Sequence, residues 1–193
     1  MTNPNNTYQD ILEAAYKLVA ELGIDKTSLS MIASEVGISK PAIYYHFSSK
    51  EVLIDFLFEE TFKNYNFSAY FSIEEYTQQN FEQLLISNGL QMLPKEDEAF
   101  NVLRVLNEFL LAVSRKEKYH QRLIKIQEDF LSGFSDLLTR GAALGVISPD
   151  NTVAKAHMLS LVIDNISNFM LMGIKLDYKD IWMTTVKSVI LNN

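Results

Sequence analysis

The sequence predicts an all-α protein of about nine helices, and three observations support that fold class. Pro41, Pro94 and Pro149 punctuate the chain, and the proline-free stretches between them are long. Within these stretches apolar residues recur at spacings of three and four, which is the period of a helix with one buried face. No segment alternates apolar and polar residues as a half-buried strand does, and no fixed-period repeat is present.

Gly23 and Gly37 mark the expected ends of the first two helices, because glycine tolerates the left-handed backbone that follows a helix. The second helix begins after a cap at Thr27 or Ser28 and ends at about Val36. The first helix carries an apolar stripe that consists of Ile11, Ala15, Leu18 and Leu22.

Serines begin the next two helices. Ser39 caps a third helix with Pro41 in its first turn, where a missing N–H costs nothing, and this helix ends near residue 46 or 47. Ser48 or Ser49 caps a fourth helix, which we expect to continue to about Phe71.

Five further helices are expected. The fifth runs from about residue 73 to residue 93, before a break at 94–97. The sixth carries the stripe Phe100, Leu103, Leu106, Leu110 and Val113. The seventh carries Leu123, Ile126, Phe130, Phe134 and Leu137. Residues 153–172 are apolar over most of the helix circumference, which predicts an eighth helix buried on two sides, and a narrower stripe from residue 178 to residue 190 predicts a ninth.

The composition is that of an ordinary globular protein. The 193 residues are 48% hydrophobic and 21% charged and include no cysteine, which excludes disulfides, thiolate metal sites and cysteine nucleophiles. The opening MTNPNNTYQD has no Lys or Arg, and no uncharged apolar run approaches about 18 residues, so we expect a cytoplasmic protein without a membrane segment. With 17 Lys and Arg against 24 Asp and Glu, the net charge of -7 by itself argues against a nucleic-acid partner.

Residues 27–53 nevertheless have the pattern of a helix-turn-helix, two short helices with a glycine at the turn. Ala33 is small where the helices cross, and Gly37 supplies the positive φ. The small core between the helices would be filled by Ile32, Val36, Ile38 and Ile43. The side chains left exposed, with Lys50 on the next helix, are Ser39, Lys40, Ala42, Tyr44, Tyr45 and His46. The stretch from 39 to 50 has two Lys and no acidic residue.

This segment resembles the DNA-binding domain of TetR-type transcriptional regulators. The resemblance covers roughly the first quarter of the chain and rests on Ile32-Ala33, Gly37-Ile38-Ser39, Tyr44, His46-Phe47, Lys50-Glu51 and Leu53. It implies a homodimeric repressor, which binds double-stranded operator DNA and is released by a small apolar or amphipathic effector. It also implies a helix-turn-helix DNA-binding domain over residues 1–48 and a helical effector-binding and dimerisation domain over residues 49–193. We expect no catalytic activity, metal or cofactor, because the sequence has no catalytic cluster and no complete metal motif.

The resemblance also assigns DNA contacts position by position. It implies phosphate contacts from Ser28, Tyr44, His46 and Lys50. It places Ser39, Lys40 and Ala42 near base edges, where Ala42 can touch a thymine methyl group. We expect Ile43 and Tyr45 to pack rather than to contact DNA, and the N-terminal arm has no basic residue for the minor groove.

An apolar effector pocket is expected inside the C-terminal part, because the resemblance implies a ligand site there. The side chains expected to line it are Phe81, Asn88, Met92, Phe100, Leu103, Phe109, Gln127, Phe130, Phe134, Met158, Asn165 and Phe169. Aromatic and Met side chains at such spacings are also ordinary core residues. Each buried amide, including Asn107, either pairs with a neighbour or awaits a ligand.

The last two helices are expected to form the dimer, as the resemblance implies. The interface residues would be Leu159, Ile163, Ile166, Tyr178, Trp182, Val186, Val189 and Ile190. His157, Ser160, Asp164 and Ser167 share one face of the eighth helix. That polar face fits a dimer seam or solvent better than acid–base chemistry or an effector anchor, although both remain open.

Other chemistry is poorly supported by the sequence. Glu117 and His120 have the spacing of half a di-iron site, but the partner motif is missing, so we interpret them as a solvated helix end. A rival hypothesis, an all-α enzyme or ligand-binding module that has lost DNA binding, lacks a catalytic cluster, and another is an activator of the same family. The acidic total is spread along the chain, since residues 1–50 hold four Lys and five acidic residues. The placement of Lys40 and Lys50 therefore predicts DNA binding with a shallow salt dependence.

Overall fold

The computed structural model describes residues 4–93, 104–105, 107–109, 111 and 116–191, with side chains from residue 7 onward except that of Leu171. These residues form an all-α fold, as predicted, and within these ranges the one β contact is an isolated antiparallel bridge between Ile147 and Ile190. The helices in chain order are α1 (Pro4–Leu22), α2 (Leu29–Val36), α3 (Lys40–His46), α4 (Lys50–Phe62), α5 (Phe81–Met92), α6 (helical residues 104–105, 107–109 and 111), α7 (Glu117–Ala143), α8 (Thr152–Leu171) and α9 (Tyr178–Val189).

The chain divides into two packed units, and each is built from two separate segments. The first unit comprises residues 1–64 and 96–119, and the second comprises residues 65–95 and 120–193. The sequence predicts a boundary after residue 48 between a DNA-binding and an effector-binding domain. The division into packed units does not test where these functions lie, so that boundary stays a prediction.

The first unit is organised around the apolar faces of α1, α2, α3 and α4. Ile11, Ile32 and Ile43 are fully buried, as the predicted stripes require. Phe58 of α4 stacks on Tyr119 with 4.3 Å between ring centroids, and it meets Phe109 edge to face at 5.0 Å. Aromatic contacts of this geometry add to the free energy gained from burial, so Phe109 and Tyr119 stabilise α4 within this unit.

The second unit is held together by close contacts between helices. Trp182 of α9 is fully buried, and its Nε1–H donates a hydrogen bond to the Ile86 carbonyl of α5 at 3.1 Å. A Cβ at Gly89 would lie 2.2 Å from the Trp182 ring, and a Cβ at Gly133 would lie 2.1 Å from the Phe67 ring. Glycine at these two positions is therefore what allows the aromatic rings to reach the helix backbone.

The segment between α4 and α5 departs from the prediction. The fourth helix ends at Phe62 rather than near Phe71, and the chain continues through 3₁₀ turns at Phe67–Ala69 and Ile73–Glu75. The Asp129 carboxylate accepts a hydrogen bond from the Phe67 N–H at 2.7 Å. The Asn66 side chain accepts another from the Ala69 N–H at 3.0 Å. These side chains satisfy backbone groups that a continuous helix would pair internally, so the apolar spacing alone was misleading.

The fifth helix begins at Phe81 rather than near residue 73. Asn80 Oδ1 accepts a hydrogen bond from the Thr77 N–H, Thr77 Oγ1 accepts one from the Asn80 N–H, and Asn80 Nδ2 donates to the Glu75 carbonyl. This local network stabilises a turn where the sequence pattern predicts helix. The expected break at 94–97 and the expected stripe from Phe100 to Val113 lie outside the described residues.

The eighth helix is buried on one side only, contrary to the prediction of two. Ala156, Leu159, Ile163 and Ile166 face the interior, whereas Leu161 on the other side is 63% exposed. Met158 and Phe169 on that outer side are also exposed, at 37% and 40%. No helix among the described residues is long and apolar enough to cross a membrane.

Candidate nucleic-acid interface and ligand cleft

A tight turn at Gly37 joins α2 and α3, as the sequence predicts. Gly37 has φ +77°, and the Ile38 N–H donates a hydrogen bond back to the Ala33 carbonyl at 2.9 Å. Ala33 is 2% exposed at the crossing of the two helices. A larger side chain at residue 33 would separate the helices, and a non-glycine residue at 37 would be strained.

Serine caps begin all three short helices of this region. The Oγ atoms of Ser28, Ser39 and Ser49 each accept a hydrogen bond from the backbone N–H three residues later, at 3.3 Å. Ser28, rather than Thr27, is therefore the cap of α2. The contacts with DNA expected from Ser28 and Ser39 stay predictions, but both hydroxyls already have a defined role in the protein.

The outer face of α3 presents polar and aromatic side chains to solvent. Lys40 is exposed, Tyr44 is 46% exposed, and Ala42 and His46 are half-buried. Ile43 is fully buried, as predicted. The prediction that Tyr45 packs is wrong, because its side chain is 88% exposed. Residue 45 lies about 200° around the helix from the buried residue 43, so it points to the same outer side as a DNA-contacting residue would.

Lys50 and Tyr8 make contacts that hold α3 and the start of α4 against the rest of the first unit. The Lys50 ammonium donates a hydrogen bond to the Asp25 carbonyl in the turn between α1 and α2, at 3.0 Å. One of its three donors is thus used within the protein, which leaves two for a phosphate. Tyr8 stacks on Phe47 at 5.4 Å and lies 6.5 Å from the His46 ring, a contact that the sequence did not suggest.

A small cleft in the second unit lies between α5, α7 and α8. Its enclosed space is about 10 Å³, room for about one water molecule, and it opens to solvent. Its lining consists of Tyr65, Met92, Gln127, Phe130, Ser160, Ile163 and Asp164. Asp164 is an exposed residue at the cleft, but neighbouring atoms still displace part of the water around its carboxyl, which raises its pKa above the usual range; the hydrogen bond with Gln127 opposes this rise only in part. Burial also raises the pKa of the Tyr65 hydroxyl, and the nearby Asp164 charge adds to that shift.

The structure separates the twelve residues expected to line one pocket. Met92, Gln127 and Phe130 do line the cleft. Four others are buried core residues away from it: Phe81, Asn88, Phe109 and Phe134. Three are exposed outside it: Met158, Asn165 and Phe169. Phe100 and Leu103 lie outside the described residues.

The four amides singled out in the sequence have different environments. Asn88 donates a hydrogen bond to the Tyr76 hydroxyl at 3.0 Å, so its amide is satisfied inside the protein. Asn107 and Asn165 are exposed, which removes the cost of leaving them unpaired. Only Gln127 lies at the cleft, where it shares a hydrogen bond with Asp164. Asp164 was grouped in the sequence with a dimer seam or solvent face, and Tyr65 was not singled out at all.

The residues expected to form the dimer are mostly buried within the chain itself. Leu159, Ile163, Ile166, Trp182, Val186 and Val189 are all at most 4% exposed. These six side chains cannot also contact a partner, so this part of the prediction is wrong. Tyr178 is half-buried, and so is Ile190, whose backbone forms the bridge with Ile147. The helical period was right, but it marked the inner face of α8 and α9 rather than an outer one.

The other polar candidates do not converge. His157 is exposed, Ser160 is 4% exposed at the cleft, and Ser167 is half-buried. Glu117 and His120 are both exposed at the start of α7. Within the described ranges, no three His, Cys, Asp or Glu residues are grouped as a metal site would need.

A glycine turn between two short capped helices, with the outer face of the second left open, defines a helix-turn-helix transcriptional regulator. Residues 11–56 match the family model of the bacterial regulatory proteins of the tetR family. The match covers the helix-turn-helix, so residues 11–56 form a DNA-binding segment of the tetR type.

Known proteins show the same relationship. The chain is 26% identical over 153 residues to the fatty acid metabolism regulator protein of Bacillus subtilis. This alignment covers 79% of this chain and 76% of that protein. It is 37% identical over 49 residues to a class A tetracycline repressor protein of Escherichia coli. This alignment covers 25% of this chain and 23% of that protein. The solved complex with triclosan of SmeT, the repressor of a Stenotrophomonas maltophilia multidrug efflux pump, has a TM-score of 0.69 at 18% identity and covers 97% of this chain and 93% of that one. That last likeness shows the fold.

Proposed function

We propose that the protein is a homodimeric repressor that is released from its operator DNA when a small apolar or amphipathic effector binds. The exposed outer face of α3, with Lys40, Tyr44 and Tyr45, is the observation that carries this proposal. A helix presented in this way fits the major groove, where phosphate contacts position it and base contacts select the sequence. Residues 1–48 would bind DNA, and residues 49–193 would bind the effector and dimerise.

The homodimer is supported by the outer side of α8. Met158, Leu161, Phe169 and Met172 are 37%, 63%, 40% and 71% exposed, and they recur along one side of the helix and its end. An apolar stripe of this length is costly to leave in water and is typical of an interface. A second copy of the same helix, packed antiparallel, would bury both stripes at once. This stripe replaces the inner-face residues predicted from the sequence.

Release by an effector would act as a shift between two states. A dimer places its two recognition helices about one DNA turn, or a multiple, apart. An effector that binds more tightly to a state with a different spacing draws the population away from the operator-bound form. The protein would then act in the cytoplasm by binding rather than by catalysis.

Fluorescence anisotropy with labelled DNA from the region flanking the protein's own gene tests this function. We expect saturable binding of the full-length protein that an unlabelled copy of the same DNA, but not scrambled DNA, displaces. Addition of a panel of apolar and amphipathic compounds should lower the anisotropy for at least one of them. Equal binding to flanking and scrambled DNA would refute an operator-specific regulator.

A further inference from the structure

The exposed stripe of α8 reads the same from both ends. It consists of Met158, Leu161, Phe169 and Met172 with Asn165 between them, and all five side chains are exposed. Met172 directly follows α8 and keeps right-handed helical backbone angles. Successive members are separated by three, four, four and three residues. At about 100° per residue, the five positions fall within about 80° of the helix circumference, and Asn165 lies in the middle of that arc.

This symmetry is what pairing with a second copy of the same helix requires. When two identical helices pack antiparallel about a two-fold axis, a residue before the axis faces the residue equally far after the axis on the partner. With the axis at Asn165, Met158 lies opposite the partner's Met172, and Leu161 lies opposite the partner's Phe169. Apolar side chains therefore meet apolar side chains over about 21 Å, which requires helix axes that cross at a shallow angle of about 20°.

The position of Asn165 distinguishes this pairing from its neighbours. A side-chain amide has both donors and an acceptor, so two Asn165 amides at the axis can satisfy each other. Displacing the second copy by four residues, about one helical turn, places Asn165 opposite the partner's Leu161 or, in the other direction, opposite the partner's Phe169. Both amides would then be enclosed by apolar side chains without a hydrogen-bond partner, which is costly.

We propose that α8 packs antiparallel against α8 of a second copy with Asn165 on the two-fold axis, and that Asn165 fixes the register of this pair. This inference rests on the proposed homodimer and gives its geometry. In the single chain the Asn165 amide is exposed, so it costs nothing there. In the dimer it lowers stability relative to an apolar residue, but it excludes shifted pairings and foreign apolar helices that offer no matching amide.

Cysteine cross-linking measures the register directly, because the chain has no cysteine of its own. Under mild oxidation, Asn165→Cys should form a disulfide-linked dimer, since residues on the axis meet their own copies. Leu161→Cys and Phe169→Cys are matched single variants. Each substituted residue would lie about 12 Å from its own copy along the helix axis, so each should give at least about tenfold less linked dimer. The double variant Leu161→Cys, Phe169→Cys should link efficiently, because these positions face each other across the pair.

Two substitutions at residue 165 test its role. Asn165→Asp would place two like charges against each other at the axis, so the dimer dissociation constant in analytical ultracentrifugation should rise at least about tenfold. Gln83→Glu makes the same change of charge at an exposed position on α5 and should leave this constant within about twofold. Asn165→Leu, added to the double cysteine variant, should keep the dimer but lower the disulfide yield at least about threefold, because shifted registers are no longer excluded.

The possible results lead to distinct conclusions, once a circular dichroism melt has established that each variant is folded. The register is overturned if Leu161→Cys links to itself as readily as Asn165→Cys does, or if Asn165→Asp leaves the dissociation constant unchanged. A sedimenting dimer in which Asn165→Cys does not link would also overturn it, but would leave the homodimer intact with another surface as its seam. A protein that sediments as a monomer would refute the homodimer and the register together, whereas a linked dimer without operator binding in anisotropy would refute the proposed function alone.

Discussion

The carboxylate of Glu108 accepts a hydrogen bond from the backbone N–H of Ile24, with 2.8 Å between Oε2 and N. Ile24 follows Gly23, which has φ +84° and ends α1. Glu108 belongs to α6, so this bond fixes a residue 84 positions away in sequence to the turn that leads into the helix-turn-helix. The position of α2 within the first unit therefore depends on a side chain that the helix-turn-helix pattern does not include.

Replacement of Glu108 tests that dependence. Glu108→Ala leaves the Ile24 N–H without its acceptor, and we expect the free energy of unfolding to fall by about 1–3 kcal/mol. Glu108→Gln keeps an acceptor oxygen and should lose only about 1 kcal/mol, because a neutral hydrogen bond is weaker than one to a charged group. Urea denaturation of the full-length protein measures both. Equal losses in the two variants would show that the bond is not what matters at this position.

Contacts with phosphates and contacts with bases should differ in their sequence dependence. We expect Tyr44→Ala to weaken binding to operator and altered operators by similar factors. Lys40→Ala should in addition reduce the discrimination between them, by about 1–3 kcal/mol at the affected base pair. Anisotropy titrations against a set of single-base variants measure this. If Lys40→Ala and Tyr44→Ala lower all affinities in parallel, the assignment of Lys40 to a base edge is wrong.

Salt should weaken operator binding only moderately. Each phosphate neutralised contributes about 0.9 to the slope of log affinity against log salt concentration. With Lys40 and Lys50 as the cations of each protomer, a dimer should give a slope of about -4 or shallower. Titrations over a range of salt concentrations provide the slope, and Lys40→Ala should reduce it by about two for the dimer. A slope near -10 would mean that other cations carry the binding.

The exposed stripe of α8 gives a test of dimerisation. Leu161→Asp adds a charge to a side chain that is 63% exposed, so the monomer should fold normally while the dimer dissociates. Val186→Asp, by contrast, places a charge at a fully buried position and should unfold the chain rather than merely split the dimer. Ile124→Asp on α7 is a control at another exposed apolar residue. Analytical ultracentrifugation that finds Leu161→Asp still dimeric would move the interface elsewhere.

Asp55 should make stability depend on pH in acid. Burial by itself raises the pKa of this carboxyl, but hydrogen bonds with Lys118 and Tyr119 and the charges of Lys116 and Lys118 outweigh it, so the net pKa is lowered. A lowered pKa in the folded state stabilises the protein above the unfolded-state value of about 3.9, and this contribution disappears as the pH falls through the lowered pKa.

Thermal melts of the unchanged protein and of Asp55→Asn over a range of pH measure the contribution of Asp55 to stability. The difference in melting temperature should be constant near neutral pH and should shrink toward zero as the pH falls below about 3.9 and through the lowered pKa of Asp55. Asp136→Asn, which changes an exposed carboxylate on α7, controls for overall charge. A difference for Asp55→Asn that persists unchanged at low pH would indicate lost packing rather than lost ion pairs.

Local signals in the sequence were enough for the first three helices. Ser28, Ser39 and Gly37 act through backbone atoms within four residues, so caps and turns follow directly from residue type. The same reasoning missed the end of α4, because the hydrogen bond from the Phe67 N–H goes to Asp129, 62 residues later. A contact over that distance has no local signature.

To predict the dimer and cleft residues, one must know which apolar face of a helix is exposed. Apolar periodicity does not give that information. The spacing on α8 is apolar around most of the helix, so Leu159 inside and Leu161 outside looked equivalent in the sequence. The cleft was missed for a related reason. Its charge comes from Asp164 on α8 and its rings from Tyr65 and Phe130 on other segments, and only the packed helices bring these residues together.

The two units, each built from two separated segments, set limits on how this regulator can be recombined with others. A fragment that stops at residue 64 would lack Phe109 and Tyr119, which cover Phe58, so an isolated DNA-reading module would expose an aromatic surface. A chimera that joins residues 1–64 to the effector-binding domain of another regulator at a single junction would expose the same aromatic surface. Grafts that also transfer residues 96–119 would keep the aromatic contacts, which makes the minimal transferable module a two-piece one.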